Sequence, residues 1–316
     1  MKEIVIISGK GGTGKTSLTA SFAALARPLV VADCDVDAPD LYLVAEPKTI
    51  KHEKFIGGKK AFIRNDLCSA CGKCLELCRF EAVRHDGLGN DTTSSTYRIV
   101  TEACEGCGVC VHFCPNEAID FKEQIVGSWY LSNSRFGPMA HAELHPGGEN
   151  SGRLVTLVRD QAKRLAEGNR LDLILIDGPP GIGCPVIASV TGTDLVVIVT
   201  ESTVAGLHDL KRAIELSAHF NITTVVIINR FDINAGKVAE IKKHLKRASI
   251  PLVGLIPYDP DFSRAQINCL SLVEYANSKT SEAIRKAWGK IISLLDLEQE
   301  GVRDRQRDET SPAIKS

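Results

Sequence analysis

The stretch Gly9-Lys10-Gly11-Gly12-Thr13-Gly14-Lys15-Thr16 constrains this chain more than any other. It follows a β-branched run (residues 3–8), precedes a helical pattern (16–26), and matches G-x-x-x-x-G-K-[ST] in the context that motif requires. Each of its glycines costs roughly 0.5–1 kcal/mol in backbone entropy, which an ordinary strand-to-helix turn does not need. Anion binding offsets that loss. The backbone N–H groups of Gly11, Gly12, Thr13, Gly14, Lys15, Thr16 and Ser17 can converge on phosphates, helped by the positive end of the following helix. Lys15 is then placed for the β and γ phosphates, and the Thr16 hydroxyl for Mg²⁺. A plain Gly-rich turn is the alternative, and the flanking strand and helix count against it.

Near-continuous Val/Ile/Leu runs at 3–8, 28–33, 172–177, 194–200, 223–229 and 252–257 alternate with helical patterns at 16–26, 153–167, 204–219, 235–246 and 280–297. Such runs are strands covered on both faces, so the expected fold is α/β, a doubly wound, mostly parallel sheet. In the last helix Ile284, Trp288, Ile291, Ile292 and Leu295 form one apolar face that packs on the sheet. Residues 298–316 are highly charged and read as a flexible tail. Asp177 ends the 172–177 run at the strand edge where open α/β sheets bind ligands, and can hold a Mg²⁺-bound water. Asp33, Asp35 and Asp37 end the second run in the same region, and one of them can orient the attacking water. Taken singly, each Asp also fits a helix cap or a solvated turn.

The region from about 55 to 123 breaks the alternation. Eight of the eleven cysteines lie there, and cysteines clustered in a reducing compartment indicate metal rather than disulfides. Cys68-x2-Cys71-x2-Cys74-x3-Cys78 recurs as Cys104-x2-Cys107-x2-Cys110-x3-Cys114-Pro115, each the bacterial ferredoxin run. Three thiolates of one run wrap one cubane while the fourth ligates the other. One [4Fe-4S] cluster is therefore expected on Cys68, Cys71, Cys74 and Cys114, and a second on Cys104, Cys107, Cys110 and Cys78. Tetrahedral zinc is the alternative, but it needs neither the third cysteine at the same interval nor the crossed ligand. Arg79, in place of Pro, follows Cys78. The expected organisation is residues 1–55 as the first part of a P-loop ATPase core, 56–125 as an inserted α+β 2[4Fe-4S] ferredoxin domain, and 126–297 as the second part of the core.

Lys10, just after the first glycine, is similar to the signature lysine of the deviant P-loop shared by MinD/ParA cell-division and partition ATPases, Mrp-type iron-sulfur carriers and the nitrogenase iron protein. Asp177-Gly178-Pro179-Pro180-Gly181 resembles their switch II and Asp33-Cys34-Asp35 their switch I. The insertion, with Arg135-Phe136-Gly137-Pro138 and Gly148-Glu149-Asn150-Ser151-Gly152, resembles the ferredoxin-containing branch of the MinD-like ATPases. The resemblance implies ATP and Mg²⁺ as ligands, and Lys10 reaching into a partner's nucleotide site in a homodimer or in a heterodimer with a related ATPase. It also implies Asp35 positioning water, and Asn229 and Arg230 on the adenine side with Pro257-Tyr258-Asp259, Asn229 contacting the base. In the iron protein a cluster-ligating cysteine follows switch II near the place of Cys184. With no cysteine between Cys114 and Cys184 to pair with it, a buried small thiol is expected here instead. Cys34 and Cys269 are expected in the core, and His141 and His145 on a surface loop.

With 38 Lys+Arg against 39 Asp+Glu there is no polybasic arm, so no nucleic-acid partner is expected. No apolar run approaches the roughly 18 residues of a membrane span, and no export signal begins the chain, so a cytoplasmic location without membrane contact is expected. The leading expectation is an ATPase whose nucleotide-dependent dimerisation gates electron transfer through two clusters to an unidentified redox partner. Delivery of Fe-S clusters to an acceptor protein is a second, and a MinD-like positioning switch a third.

Overall fold

The computed structural model describes residues 1–148 and 151–295. The expected tail at 298–316, the end of the last expected helix and residues 149–150 lie outside them. Eleven strands are formed among the described residues: β1 (Lys2–Ser8), β2 (Val30–Asp33), β3 (Lys48–Ile63), β4 (Val83–Leu88), β5 (Ser95–Ile99), β6 (Ile119–Ser134), β7 (Gly137–Leu144), β8 (Leu173–Pro180), β9 (Leu195–Glu201), β10 (Thr223–Asn229) and β11 (Leu252–Ile256). Nine of them join one sheet in the order β11-β10-β9-β1-β8-β2-β7-β6-β3. It is parallel from β11 to β7 and antiparallel at β7–β6 and β6–β3.

The parallel strands form where β-branched residues can be buried on both faces. Ile4, Ile6, Val31 and Leu175 pack beneath the helices Lys15–Ala26 and Lys279–Leu294, where Trp288 stacks on Phe22 with ring centroids 5.1 Å apart. Val5, Ile7, Ile174 and Ile176 face the other way, beneath Ser151–Asn169 and Val204–His219. Each large side chain so buried stabilises the fold by roughly 1.5–3 kcal/mol. The doubly wound α/β architecture expected from the sequence is the one observed.

Three strands depart from the expected pattern. β3 and β6 pair antiparallel from Lys48↔Asn133 to Ile63↔Ile119, with the register slipping around residues 55–58. β6 turns directly into β7. At one end this ribbon extends the main sheet, and at the other it carries residues 64–118. The borders expected at 56 and 125 thus fall inside continuous strands rather than in linkers. At the far end the short helices Lys73–Leu77 and Val109–His112 and the separate β4–β5 pair enclose a small core of Val83, Tyr97, Ile99, Ala118 and Ile119, together with Cys68 and Cys104.

His141 corrects the expectation of a surface loop. It lies in β7, partly buried between neighbours: its ring stacks on Tyr130, which stacks in turn on His52, at centroid distances of 4.9 and 4.7 Å. Burial lowers its pKa to about 4. His145 is exposed, as expected. Cys34 is buried, Cys269 is only partly so, and Cys184, expected to be buried, is exposed at the start of the helix Cys184–Val190.

Candidate functional site

The C-terminal ends of β1, β8 and β2 meet where the chain crosses from one side of the sheet to the other, the place where open α/β sheets hold ligands. Between β1 and the helix Lys15–Ala26 the loop is bent through two glycines in the left-handed region, Gly12 (φ 78°) and Gly14 (φ 84°). A side chain at Gly14 would collide with Asn229 Nδ2. That amide donates to the Thr13 carbonyl at 2.8 Å, while Asn229 Oδ1 accepts the Arg230 N–H at 3.0 Å. Asn229 therefore braces the glycine loop through its amide nitrogen, while its oxygen holds the backbone of Arg230.

Lys15 Nζ sits 2.9 Å from Asp177 Oδ1, 3.4 Å from Asp35 Oδ2 and 3.3 Å from Thr16 Oγ1. Burial alone would lower the lysine pKa. The carboxylates of Asp177 and Asp35, with Asp33 behind them, outweigh that effect and raise it, so the ammonium stays charged. Asp177 is fully buried, and accepts from Thr16 Oγ1 at 2.7 Å and from Thr19 Oγ1 at 2.8 Å. Asp35 is pushed up to about 6, by burial first, with Lys15 opposing. Asp33 is raised well above the carboxylate range by burial and then by Asp177. Its Oδ1 accepts the Asp35 N–H, and its buried Oδ2 has no partner.

Lys15, Thr16 and Asp35 border a cleft of about 510 Å³, within the usual range for small-molecule sites, with Asp177 and Asp33 buried behind them. Its lining includes residues 11–17, Asp35, Asp37, Pro179 and Pro180, together with Asn229, Arg230 and the segment from Pro257 to Pro260. The loop, switch-like and adenine-side residues expected from the sequence thus come together. Lys10 does not point into this cleft. Its Nζ lies 3.2 Å from Glu201 Oε2, while Arg230 pairs with Oε1 of the same carboxylate. Sequence reasoning missed Glu201 and Thr19. Glu201 ends β9 as Asp177 lies near the end of β8, and Thr19 follows Lys15 by four positions, on the same helix face. Either signal could have found them.

A model of the CobQ/CobB/MinD/ParA nucleotide-binding domain matches residues 4–272. The chain belongs to that family. The uncharacterized protein MJ0578 of Methanocaldococcus jannaschii is 35% identical over 295 residues, spanning 92% of this chain and 96% of the relative. A second protein of that organism, MJ0579, is 26% identical and spans 75% of this chain and 84% of its own length. Among solved structures, the septum site-determining protein MinD of Pyrococcus horikoshii, complexed with Mg-ADP, aligns over 95% of this chain and 99% of its own with a TM-score of 0.57 and 18% identity. At that identity the likeness speaks for the MinD-like fold. No helix among the described residues is long and apolar enough to cross a membrane.

The second cluster of reactive side chains lies at the tip of the ribbon. Cys68, Cys71, Cys74 and Cys114 surround one small cavity together with Ile63 and Ile119. Burial pushes the Cys110 thiol up to about 11, and Cys104, Cys107 and Cys78 lie near enough to act on it; Cys74, also at about 11, has Cys68, Cys110 and Cys71 near it. Gly72, Gly106 and Gly108 all take positive φ in the loops that carry these cysteines. Among the described residues, no three His, Cys, Asp or Glu side chains are gathered as a set for a metal ion.

Proposed function

We propose that this chain is a nucleotide-driven switch of the MinD/ParA kind that binds ATP with Mg²⁺, hydrolyses it, and dimerises in its ATP-bound state. The observation that carries this is the buried knot of Lys15, Asp177, Asp35 and Thr16 beside a glycine cradle in a nucleotide-sized cleft. The groups present fit the ligand. Gly11 and Gly12 have open space where a Cβ would stand, so backbone N–H groups can approach phosphate closely. Thr16 and Asp177 supply hard oxygen donors of the kind Mg²⁺ takes. Asp35, which lines the cleft with its pKa pushed up to about 6, is the acid suited to orient an attacking water. Magnesium supplies charge neutralisation at the phosphates, and Lys15 shares that task.

The cysteines add a redox layer to the switch. Cys68, Cys71, Cys74 and Cys114 would hold one [4Fe-4S] cluster and Cys104, Cys107, Cys110 and Cys78 the other, in an inserted ferredoxin domain through which nucleotide state gates electron transfer. The grouping around the small cavity and the neighbours of Cys110 both follow this crossed assignment. The small core at the ribbon tip supports it as well, because an isolated module of this size normally needs a metal or disulfide staple. The likeness to MinD favours the switch itself, with or without redox chemistry, and the redox layer rests on the cysteines. Exposure of Cys71 and Cys107 favours cluster delivery to an acceptor protein as a second reading.

Anaerobic purification with iron and sulfide counts, EPR, and an ATPase assay on the wild type and Lys15→Ala test both layers. Failure of the wild type to bind ATP in Mg²⁺ removes the switch. Zinc in place of iron removes the redox layer and leaves the switch standing. Fast, chelator-sensitive transfer of iron to an apo-ferredoxin favours delivery over electron transfer.

A further inference from the structure

Three side chains hold the Asp177 carboxylate, and they differ in whether they are free to leave. Lys15 (2.9 Å) and Thr16 (2.7 Å) both line the nucleotide cleft, and by the function proposed above they are the groups that turn to phosphate and to Mg²⁺. Thr19 (2.8 Å) is different. It is 0% exposed, lies inside the helix Lys15–Ala26 and does not border the cleft. As a β-branched residue in a helix it has few side-chain conformations open to it.

Its hydroxyl lies within reach of two acceptors, the Lys15 carbonyl at 3.0 Å and Asp177 Oδ1 at 2.8 Å, but has a single proton to give. A charge-assisted bond to a carboxylate is the stronger of the two choices. The carboxylate needs that bond most when the site is loaded. Asp33 stands beside Asp177 on the neighbouring strand, with one oxygen unpartnered. Once Lys15 and Thr16 have turned toward a ligand, Thr19 is the one of these three partners still bonded to the Asp177 carboxylate, and it alone then fixes where that carboxylate points.

We infer that Thr19 is the permanent anchor of Asp177, a positioning residue that keeps this carboxylate aimed for the Mg²⁺ of the bound nucleotide while its other two partners are engaged. Thr19 touches neither the nucleotide nor the ion. The inference rests on the assignment of Lys15 and Thr16 under the proposed function.

The test titrates the full-length protein with fluorescently labelled ADP, once in EDTA and once across a Mg²⁺ series, for the wild type, Thr19→Val and Thr19→Ser. Valine keeps the shape and removes the donor; serine restores the donor. Thr19→Val is expected to bind ADP in EDTA like the wild type but to need about tenfold more Mg²⁺ for half of the metal-dependent gain, with Thr19→Ser returning to the wild-type midpoint. A wild-type Mg²⁺ midpoint in Thr19→Val overturns the inference. So does an equal loss of affinity in EDTA, which marks a role in the loop's structure only. Should Thr19→Val fail to fold, Thr19→Ala is judged by the same two midpoints. A wild type that binds no ADP under either condition sinks the underlying site assignment instead, an outcome distinct from both.

Discussion

Asp33 stands directly beside Asp177 across the parallel β2–β8 pair, and both carboxyl groups are shut away from water. With Asp35, three acids share the single ammonium of Lys15, and Asp33 gives way by holding its proton far above the usual carboxylate range. The three acids thus repel one another, an electrostatic strain that protonation of Asp33 relieves only in part.

Asp33→Asn should relieve that strain in a pH-dependent way. The folded protein holds the Asp33 proton more tightly than the unfolded chain, so stability falls as pH rises from about 4 through the raised folded value. Asparagine cannot ionise and still offers an oxygen to the Asp35 N–H. In urea titrations of the nucleotide-free protein, the variant should match the wild type near pH 4 and exceed it at pH 8. A wild type that is the more stable at pH 8 contradicts this account.

Nucleotide state should reach the ribbon through backbone bonds. The Leu144 N–H donates to the Val36 carbonyl at 2.9 Å, between Asp35 and Asp37, and the next N–H, of His145, donates to Val126 in β6, also at 2.9 Å. Val126 borders a pocket shared with Lys59, Cys104 and Gly106. Hydrogen exchange at His145 and at residues 104–106 should therefore slow or quicken when ATP is added, and more than at Ser69 or Cys71. No difference between the two cysteine loops would argue against this route.

Single cysteine changes should act on the opposite loop. Cys114→Ser is expected to disturb the cluster of Cys68, Cys71 and Cys74, and Cys78→Ser that of Cys104, Cys107 and Cys110, each removing about half of the iron with a distinct change in the EPR spectrum. If each variant instead damages the cluster of its own run, the crossed assignment is wrong. Cys184→Ser, far from both sets in sequence and exposed, should leave iron content as it is.

Two loop glycines should respond differently to alanine. At Gly14 the added methyl meets Asn229 in a left-handed backbone, so Gly14→Ala should cost about 1–3 kcal/mol and free the Thr13 carbonyl. Gly11 has neither a positive φ nor a neighbour within 4 Å, so Gly11→Ala should melt like the wild type and lose affinity for nucleotide only. Thermal melts with ADP titrations separate the two effects.

The core of the fold was legible because its demands are local. Buried parallel strands need runs such as Ile4-Val5-Ile6-Ile7, and a phosphate cradle needs glycines that no ordinary turn requires. The ribbon was not legible. Lys48-Thr49-Ile50-Lys51-His52-Glu53-Lys54 is exposed along its length at the sheet edge, so nothing imposes a period-2 pattern on it, and only pairing with β6 makes it a strand. His141 was hidden by glycines and prolines on both sides of it: Gly137 and Pro138 open the strand itself, and Pro146, Gly147 and Gly148 follow its end. Thr19 was hidden because a threonine inside a helix looks the same whether it bonds its own backbone or a carboxylate 158 positions away.

The long β3–β6 ribbon makes the cysteine loops the tip of a lever whose root is the sheet itself. The eight residues of β6 beyond its pairing with β7, Ile119–Val126, span on the order of 25 Å, so a tilt of about 5° where that pairing ends would sweep the tip through about 2 Å, about half the spacing of neighbouring strands. Small rearrangements around a phosphate could in this way become a change of reach at the far end, large enough to bring a docked protein into range or carry it out again.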